Sequence, residues 1–454
     1  MWILGIDRKV QLLVGATTYG QYFAAFNFVF IFSIFSDLGV TEYIRRTIAY
    51  KNGIDAHTLS KLMWLKLLLS ALMAILVFTL GILAGIQDHR MLAALIVLQL
   101  ILSWIGASRA VLSGLQLFYI DAWLSVMDKL LLVVAGVTAF YLFSVPSFSI
   151  QVFLFAQLIT AGFTLLLSLC FVLRNLPTSL SAPTPVQYSD VLFQVFPFAV
   201  LFFVMSMHLR ADGFLLALLS NDESAAGNYA SMYRFLDATH VAATLVGGYL
   251  VAFWSRNLKD NSLLHSSLNM IFRFMMAIAL SFIVFLYFHA EVLYQFFYNE
   301  SNPQAASLLQ WGLLAIVPYF MIAVFGSMLT AKAALKTFIY FVLFAALINL
   351  ALNVFFIPIY GAMAAAWIAN ATQSLLAILL MLFVKRKYQL GITIKSWICI
   401  GSFTGIMLMT ASVLQFTKLH FIWQAFLFFG ACLFIMPLLG LFPSAQQFNL
   451  HREK

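Results

Sequence analysis

A chain of 454 residues that is 63% hydrophobic and 9% charged, with a mean hydropathy of +0.99, is not a soluble globular domain, where about 25% of residues are charged. Its net charge of +9 would suit a nucleic-acid partner, but the basic residues lie in short connections between apolar runs and form no patch, so no nucleic acid is expected. The apolar runs, at about 20 residues each, are long enough to cross a hydrocarbon core about 30 Å thick. They are continuous and do not alternate, which predicts an all-α integral membrane protein and excludes a β-barrel.

The first stretch with character is "ATTYGQYFAAF" at 16 to 26, a turn-like segment with Gly20 and Tyr22 just before an apolar run. Its place near the chain start raises the expectation that a first membrane helix is missing ahead of it. No cleavable signal peptide is read there. Thirteen spans follow in order, over 20–38, 62–86, 91–109, 129–145, 150–173, 192–216, 229–254, 266–288, 307–331, 338–356, 362–384, 396–414 and 421–441. Between the fifth and sixth lies "RNLPTSLSAPTPVQYSD", whose three prolines suit an extended connection.

Alternate connections differ in basic content, and the richer set faces the cytoplasm. It holds Arg45, Arg46, Lys51, Lys61 and Lys66, then Arg109 with Lys129, Arg174, Arg256 with Lys259 and Arg273, Lys332 with Lys336, Lys385, Arg386, Lys387 and Lys395, and Arg452 with Lys454. The opposite set holds Arg8, Lys9, Arg90 and Lys418. The N-terminus is therefore expected outside and the C-terminus in the cytoplasm. Cys170, Cys399 and Cys432 fall inside apolar runs without metal-ligand spacing and read as small core residues.

An internal repeat is visible at one offset. "TTYGQYFAAFNFV" at 17 and "SAAGNYASMYRFL" at 224 align Gly20 with Gly227 and Tyr22 with Tyr229; "VPSFSIQ" at 145 and "IPIYGAM" at 357 align Pro146 with Pro358. Two bundles of six spans each would insert in the same sense, as parallel repeats. The predicted organisation is an N-terminal bundle at 1–173, a cytoplasmic linker at 174–191, a C-terminal bundle at 192–384, and two further spans with a short tail at 385–454.

The pieces "TTYGQYF…FSDLGVTEYIRRTIA", "RADGFLLALLS…AAGNYASMYRFLD" and "LNVFFIPIYGAMAAAWIANATQ" occur in the order and spacing that resemble bacterial polysaccharide flippases of the Wzx type. These belong to the superfamily that also contains the MATE drug exporters and the lipid II flippase MurJ. The resemblance spans about residue 10 to 440. It implies two helical bundles around a central cavity and translocation of undecaprenyl-pyrophosphate-linked oligosaccharide across the bacterial plasma membrane for O-antigen or other surface polysaccharide. The polysaccharide polymerase and chain-length regulator would be further protein partners. A MATE-like ion-coupled exporter and a non-transporting subunit of a synthesis complex remain the rival readings.

No phosphate-binding glycine loop, Cys/His cluster or nucleophile motif is present, so neither an enzyme nor a cofactor or metal site is expected. The candidates are instead ionisable residues within spans, each costing at least about 2.5 to 3.5 kcal/mol at a helix centre. In "MHLRADG", His208 and Asp212 share a helical face while Arg210 points elsewhere. In "YRFLDATH", Arg234, Asp237 and His240 stand three apart on one side of a helix. Arg234 and Arg210 are read as substrate-binding cations, and Asp237, Asp212, His240 and His208 as coupling or ion-pairing groups. A structural pair of Arg234 with Asp237, and an outer-rim role for the first group, stay open. Arg45 and Arg46 either set topology or meet the pyrophosphate at the inner leaflet. Pro197 and Pro318 read as bends within spans.

Overall fold

The computed structural model of the chain describes residues 2–51, 56–142, 148–175, 188–298, 302–417 and 419–442. Among them are sixteen α-helices and no strand. The first eight are α1 (Arg8–Val14), α2 (Ala16–Phe32), α3 (Val40–Lys51), α4 (Ala56–Leu83), α5 (His89–Gly114), α6 (Phe118–Val137), α7 (Ile150–Asn175) and α8 (Tyr188–Leu219). The rest are α9 (Ala225–Arg256), α10 (Asn261–Phe288), α11 (Ala290–Tyr298), α12 (Pro303–Gly312), α13 (Ile316–Ala331), α14 (Leu335–Tyr388), α15 (Ile394–Gln415) and α16 (Phe421–Leu438).

Among the described residues twelve helical segments are long and apolar enough to cross a membrane, and the protein is a multi-pass membrane protein. The thirteen expected spans fall on these twelve because two of them, 338–356 and 362–384, share α14. That 54-residue helix is broken at Gly361, with φ 56 and ψ −136, a conformation that a side chain disfavours. A continuous helix would separate Asn349 from Thr372 by about 35 Å at 1.5 Å per residue. Their side chains are hydrogen bonded at 3.2 Å, so the chain reverses at Gly361 and the two limbs run antiparallel.

The segment ahead of Gly20 is helical, through a π-type turn at Trp2–Asp7 and then α1. Gly15, at φ 83, makes the corner between α1 and α2. These elements, of six and seven residues, together fall short of the roughly 20 residues that span a bilayer. Residues 176–187 of the proline-rich connection lie outside the described residues, as do Pro146, Lys418, Arg452 and Lys454.

Contact density divides the chain into two compact units, Met1–Ala230 and Ser231–Lys454. In the first, α5 packs on α7 and α3, and α2 packs along α8. The seam of α2 and its following 3₁₀ turn (Ser33–Ser36) with α8 is aromatic, pairing Phe28 with Phe214 at 4.9 Å and both Phe32 and Phe35 with Phe203 at 5.9 and 5.4 Å. Small residues let backbones meet at one end of this unit. A Cβ on Gly20 would lie 2.7 Å from Gly227 N, and one on Gly227 would run into the Ala16 backbone. Gln11 Nε2 donates to Gly227 O at 2.9 Å across the same contact. The glycines aligned by the internal repeat are thus in mutual van der Waals contact.

In the second unit α13 is the centre, packed on α10 and α14 and buried along nearly its whole length. The last two helices attach through polar anchors. Asn269 on α10 takes Thr393 N at 2.8 Å and Ser396 Oγ at 2.9 Å, which fixes the start of α15. His289 Nε2 meets Gln424 Oε1 at 2.7 Å, which fixes α16. In an apolar setting each such bond lacks competition from water, so a few side chains orient whole spans.

Candidate functional site

Arg234 emerges from a stretch of α9 whose other side chains are mostly apolar, and it is 3% exposed. Its Nη1 donates to Tyr298 Oη on α11 at 2.7 Å, a charge-assisted bond. Asp237, one turn on, is half-buried. His240, half-buried, sets its ring edge against Tyr319 at 5.5 Å. The three residues expected on one side of a helix are therefore present on α9, with Arg234 the most enclosed.

The 207–213 group separates into two directions as its spacing predicts. Arg210 reaches α2, with its guanidinium 5.1 Å from the Phe30 ring centroid and Nη1 3.4 Å from Asn27 Oδ1. Asp212, 2% exposed, accepts from Tyr229 Oη at 3.2 Å on α9. His208, 1% exposed, shares the Asp212 side of α8, and neither of its ring nitrogens has a hydrogen-bond partner among the described residues. Pro197 lies inside α8, and Pro318 in the first turn of α13.

Arg45 and Arg46 are on α3, a short helix that buries Val40, Ile44 and Ile48 and exposes both arginines. Glu42 bridges the pair, at 2.9 Å to Arg45 Nη1 and 2.8 Å to Arg46 Nε. Arg109, one of the cytoplasmic-side basic residues, is paired with Asp121 at 2.7 Å.

Sequence reasoning placed Lys66 among the loop cations, whereas its side chain is fully buried in α4. Lys66 Nζ pairs with Asp37 Oδ1 and donates to Ser103 Oγ at 2.8 Å. Trp104 closes the site with its ring centroid 5.9 Å from Nζ. The available signal was position: Lys66 falls inside the apolar run 62–86, where a cation needs a partner. A second group that the sequence reading passed over is on α14. Asn353 Nδ2 donates to Asn349 Oδ1 at 3.1 Å, Asn349 donates to Thr372, and Gln373 is buried beside them. Asparagines four apart in an apolar span carried that signal.

The first unit also holds a cavity of about 670 Å³ next to the Gly20–Gly227 contact, lined among others by Gln21, Asp88, Met91, Phe214, Asp222 and Glu223. Asp88 is engaged as the cap of α5, accepting from Met91 N at 2.9 Å. Asp222 is engaged by Ser224 N and Oγ, both at 2.8 Å. Among the described residues no group of three or more His, Cys, Asp or Glu could hold a metal ion.

The comparisons with known proteins agree with this architecture. The family described as polysaccharide biosynthesis protein matches residues 10–251, more than half of the chain. A search of curated proteins gave no match. Among solved structures the fold is similar to lipid II flippase MurJ in an inward closed conformation, with a TM-score of 0.73 at 15% identity over 96% of both chains. It is also similar to an inward-facing multidrug resistance MATE family transporter of the MOP superfamily, with a TM-score of 0.68 at 14% identity over 89% of this chain and 96% of that chain. A MOP superfamily transporter from Pyrococcus furiosus gives a TM-score of 0.60 at 13% identity over 88% of this chain and 94% of that chain. The chain belongs to the polysaccharide biosynthesis protein family, and its fold is that of the MOP superfamily transporters.

Proposed function

We propose that the protein is a flippase that carries an undecaprenyl-pyrophosphate-linked oligosaccharide from the cytoplasmic to the outer leaflet of the bacterial plasma membrane. Surface polysaccharide, O-antigen included, would be the end product. The observation that carries this reading is Arg234: a guanidinium at 3% exposure on a membrane helix, oriented by Tyr298, in a chain of the polysaccharide biosynthesis family. A permanent cation held in low dielectric suits a pyrophosphate, which takes two or more charge-assisted hydrogen bonds. It does not suit a cationic drug.

In this reading 1–173 and 192–384 are parallel bundles joined by a cytoplasmic connection at 174–191, with 385–454 appended. Arg45 and Arg46 receive the pyrophosphate at the inner leaflet, and Arg210 and Arg234 stabilise it in transit. Asp212, Asp237, His208 and His240 supply the titratable groups for coupling, and alternating access moves the headgroup while the lipid tail stays in the bilayer. The polymerase and chain-length regulator of the same pathway would take the product.

The likeness to multidrug transporters favours one rival, an ion-coupled exporter of small cations. The two are separated by purified protein in liposomes carrying a fluorescent lipid-linked oligosaccharide, with flipping read as exposure to a membrane-impermeant quencher. Flipping is expected, with a strong loss in Arg210→Gln/Arg234→Gln and none in Lys385→Gln/Arg386→Gln. The reverse pattern, or dye export from pump-deficient cells without any flipping, would sink the flippase reading.

A further inference from the structure

We infer that Lys66 is a positioning residue for the arginine face of α3, acting through Asp37; this rests on the reading of Arg45 and Arg46 given above. Between α2 and α3 the chain makes a 3₁₀ turn over Ser33–Ser36 and then places two consecutive residues, Leu38 at φ 43 and Gly39 at φ 89, in the left-handed region. A leucine there is strained, so something must over-determine the corner.

That something is the Asp37 carboxylate. It accepts from Gly39 N at 3.2 Å, from Thr41 N at 3.3 Å and from the Thr41 hydroxyl, and so caps the first turn of α3. A carboxylate this enclosed needs a countercharge. Lys66 provides it from α4, while Ser103 from α5 accepts a second Lys66 proton at 2.8 Å and takes the Ser36 hydroxyl at 2.9 Å. One ammonium thus ties together the end of α2, the start of α3, α4 and α5.

The consequence appears one turn further along. Asp37 fixes where α3 begins, and Val40, Ile44 and Ile48 lock its rotation, with Ile48 seated where a side chain on Gly114 would collide. Arg45, Arg46 and the Glu42 that bridges them are thereby held on the exposed face. The asymmetry of the pair matters: the cap requires an acceptor at 37, whereas the countercharge could in principle stand at either end. Exchanging the charges keeps the Coulomb attraction and destroys the cap.

The test uses the full chain purified in detergent with Cys170, Cys399 and Cys432 replaced by alanine. Farnesyl pyrophosphate is the binding probe, and a spin label on Ala49→Cys, on the exposed side of α3, reports helix mobility. Asp37→Asn/Lys66→Gln keeps an acceptor at the cap and a donor opposite; its label stays immobile and its affinity remains within about threefold of the parent. Asp37→Lys/Lys66→Asp mobilises the label and weakens binding about tenfold. Should that variant not fold, Thr41→Val, which spares the ion pair and removes one cap hydroxyl, is expected to shift both readouts in the same direction. Charge exchange with an immobile label and parental affinity overturns the proposal, and so does a neutral pair that loses both. Normal binding by Arg45→Gln/Arg46→Gln would instead defeat the docking role of the arginines, while the label still decides whether Lys66 positions α3.

Discussion

At the residue scale, burial separates side chains of identical formal charge. Arg234 and Arg45 are both arginines with a hydrogen-bonded partner, but one is enclosed against Tyr298 and the other lies in the open beside Glu42. Tyr298→Phe removes a bond to a charged group where water does not compete, so unfolding stability should fall by about 1.5 to 3 kcal/mol. Arg45→Ala breaks an exposed pair and should change stability by less than about 0.5 kcal/mol. Thermal unfolding of the two purified variants against the parent checks both. His208 behaves differently again, because its ring nitrogens have no partner among the described residues and a leucine would forfeit no hydrogen bond. His208→Leu is expected to leave stability unchanged or raise it, while abolishing flipping if the group titrates in the cycle. A variant that unfolds at lower temperature would show that the imidazole is structural.

At the element scale, two backbone features should govern tolerance to substitution. Gly20 and Gly227 each face backbone, which cannot give way as a flexible side chain can. Gly20→Ala and Gly227→Ala should therefore each cost about 1 to 3 kcal/mol by overpacking, whereas Gly162→Ala, with open space around it, should be neutral or slightly stabilising. The same unfolding measurement distinguishes them, and equal behaviour of all three would mean that the α2–α9 contact is loose. Much of this level was legible beforehand, for a physical reason: a span must be long and apolar, and that pattern is local. Among the described residues each of the thirteen expected segments falls mainly on helix, and the matched glycines were visible as a recurrence. What the sequence hid was what depends on the partner across space. The position of Lys66 inside an apolar run signals that it needs a partner, but only the fold identifies Asp37 and Ser103 as the groups around it. Asn349 and Thr372 are 23 positions apart, and only the reversal at Gly361 makes them neighbours. Likewise the stretch before Gly20 is interrupted by Asp7, Arg8 and Lys9 and offers no long apolar run, yet it folds as short helical elements within its unit.

At the scale of the whole molecule, orientation is set by where the basic residues fall, and the helical path makes that claim testable. Thirteen crossings, an odd number, put the two ends of the described path on opposite sides of the membrane. The connection after α9 carries Lys259 and the last turn of α14 carries Lys385, Arg386 and Lys387, while the connections after α4 and α8 carry Gln87, Asp88, Asp222 and Glu223. Each basic residue left on the wrong side must be translocated against the field that favours positive charge inside. Only one of the two orientations gathers the cations on the cytoplasmic side. In a background with Cys170, Cys399 and Cys432 replaced, Gln87→Cys and Asp222→Cys should react with a membrane-impermeant maleimide in intact cells. Lys259→Cys and Lys387→Cys should react only after permeabilisation. The same orientation would put the Lys66–Asp37 clamp and the arginines of α3 at the inner leaflet, where the proposed lipid-linked substrate would load, and the Gly20–Gly227 contact at the outer one. Reversed labelling would place those arginines on the side where the product leaves, and a loading role for α3 would then be untenable.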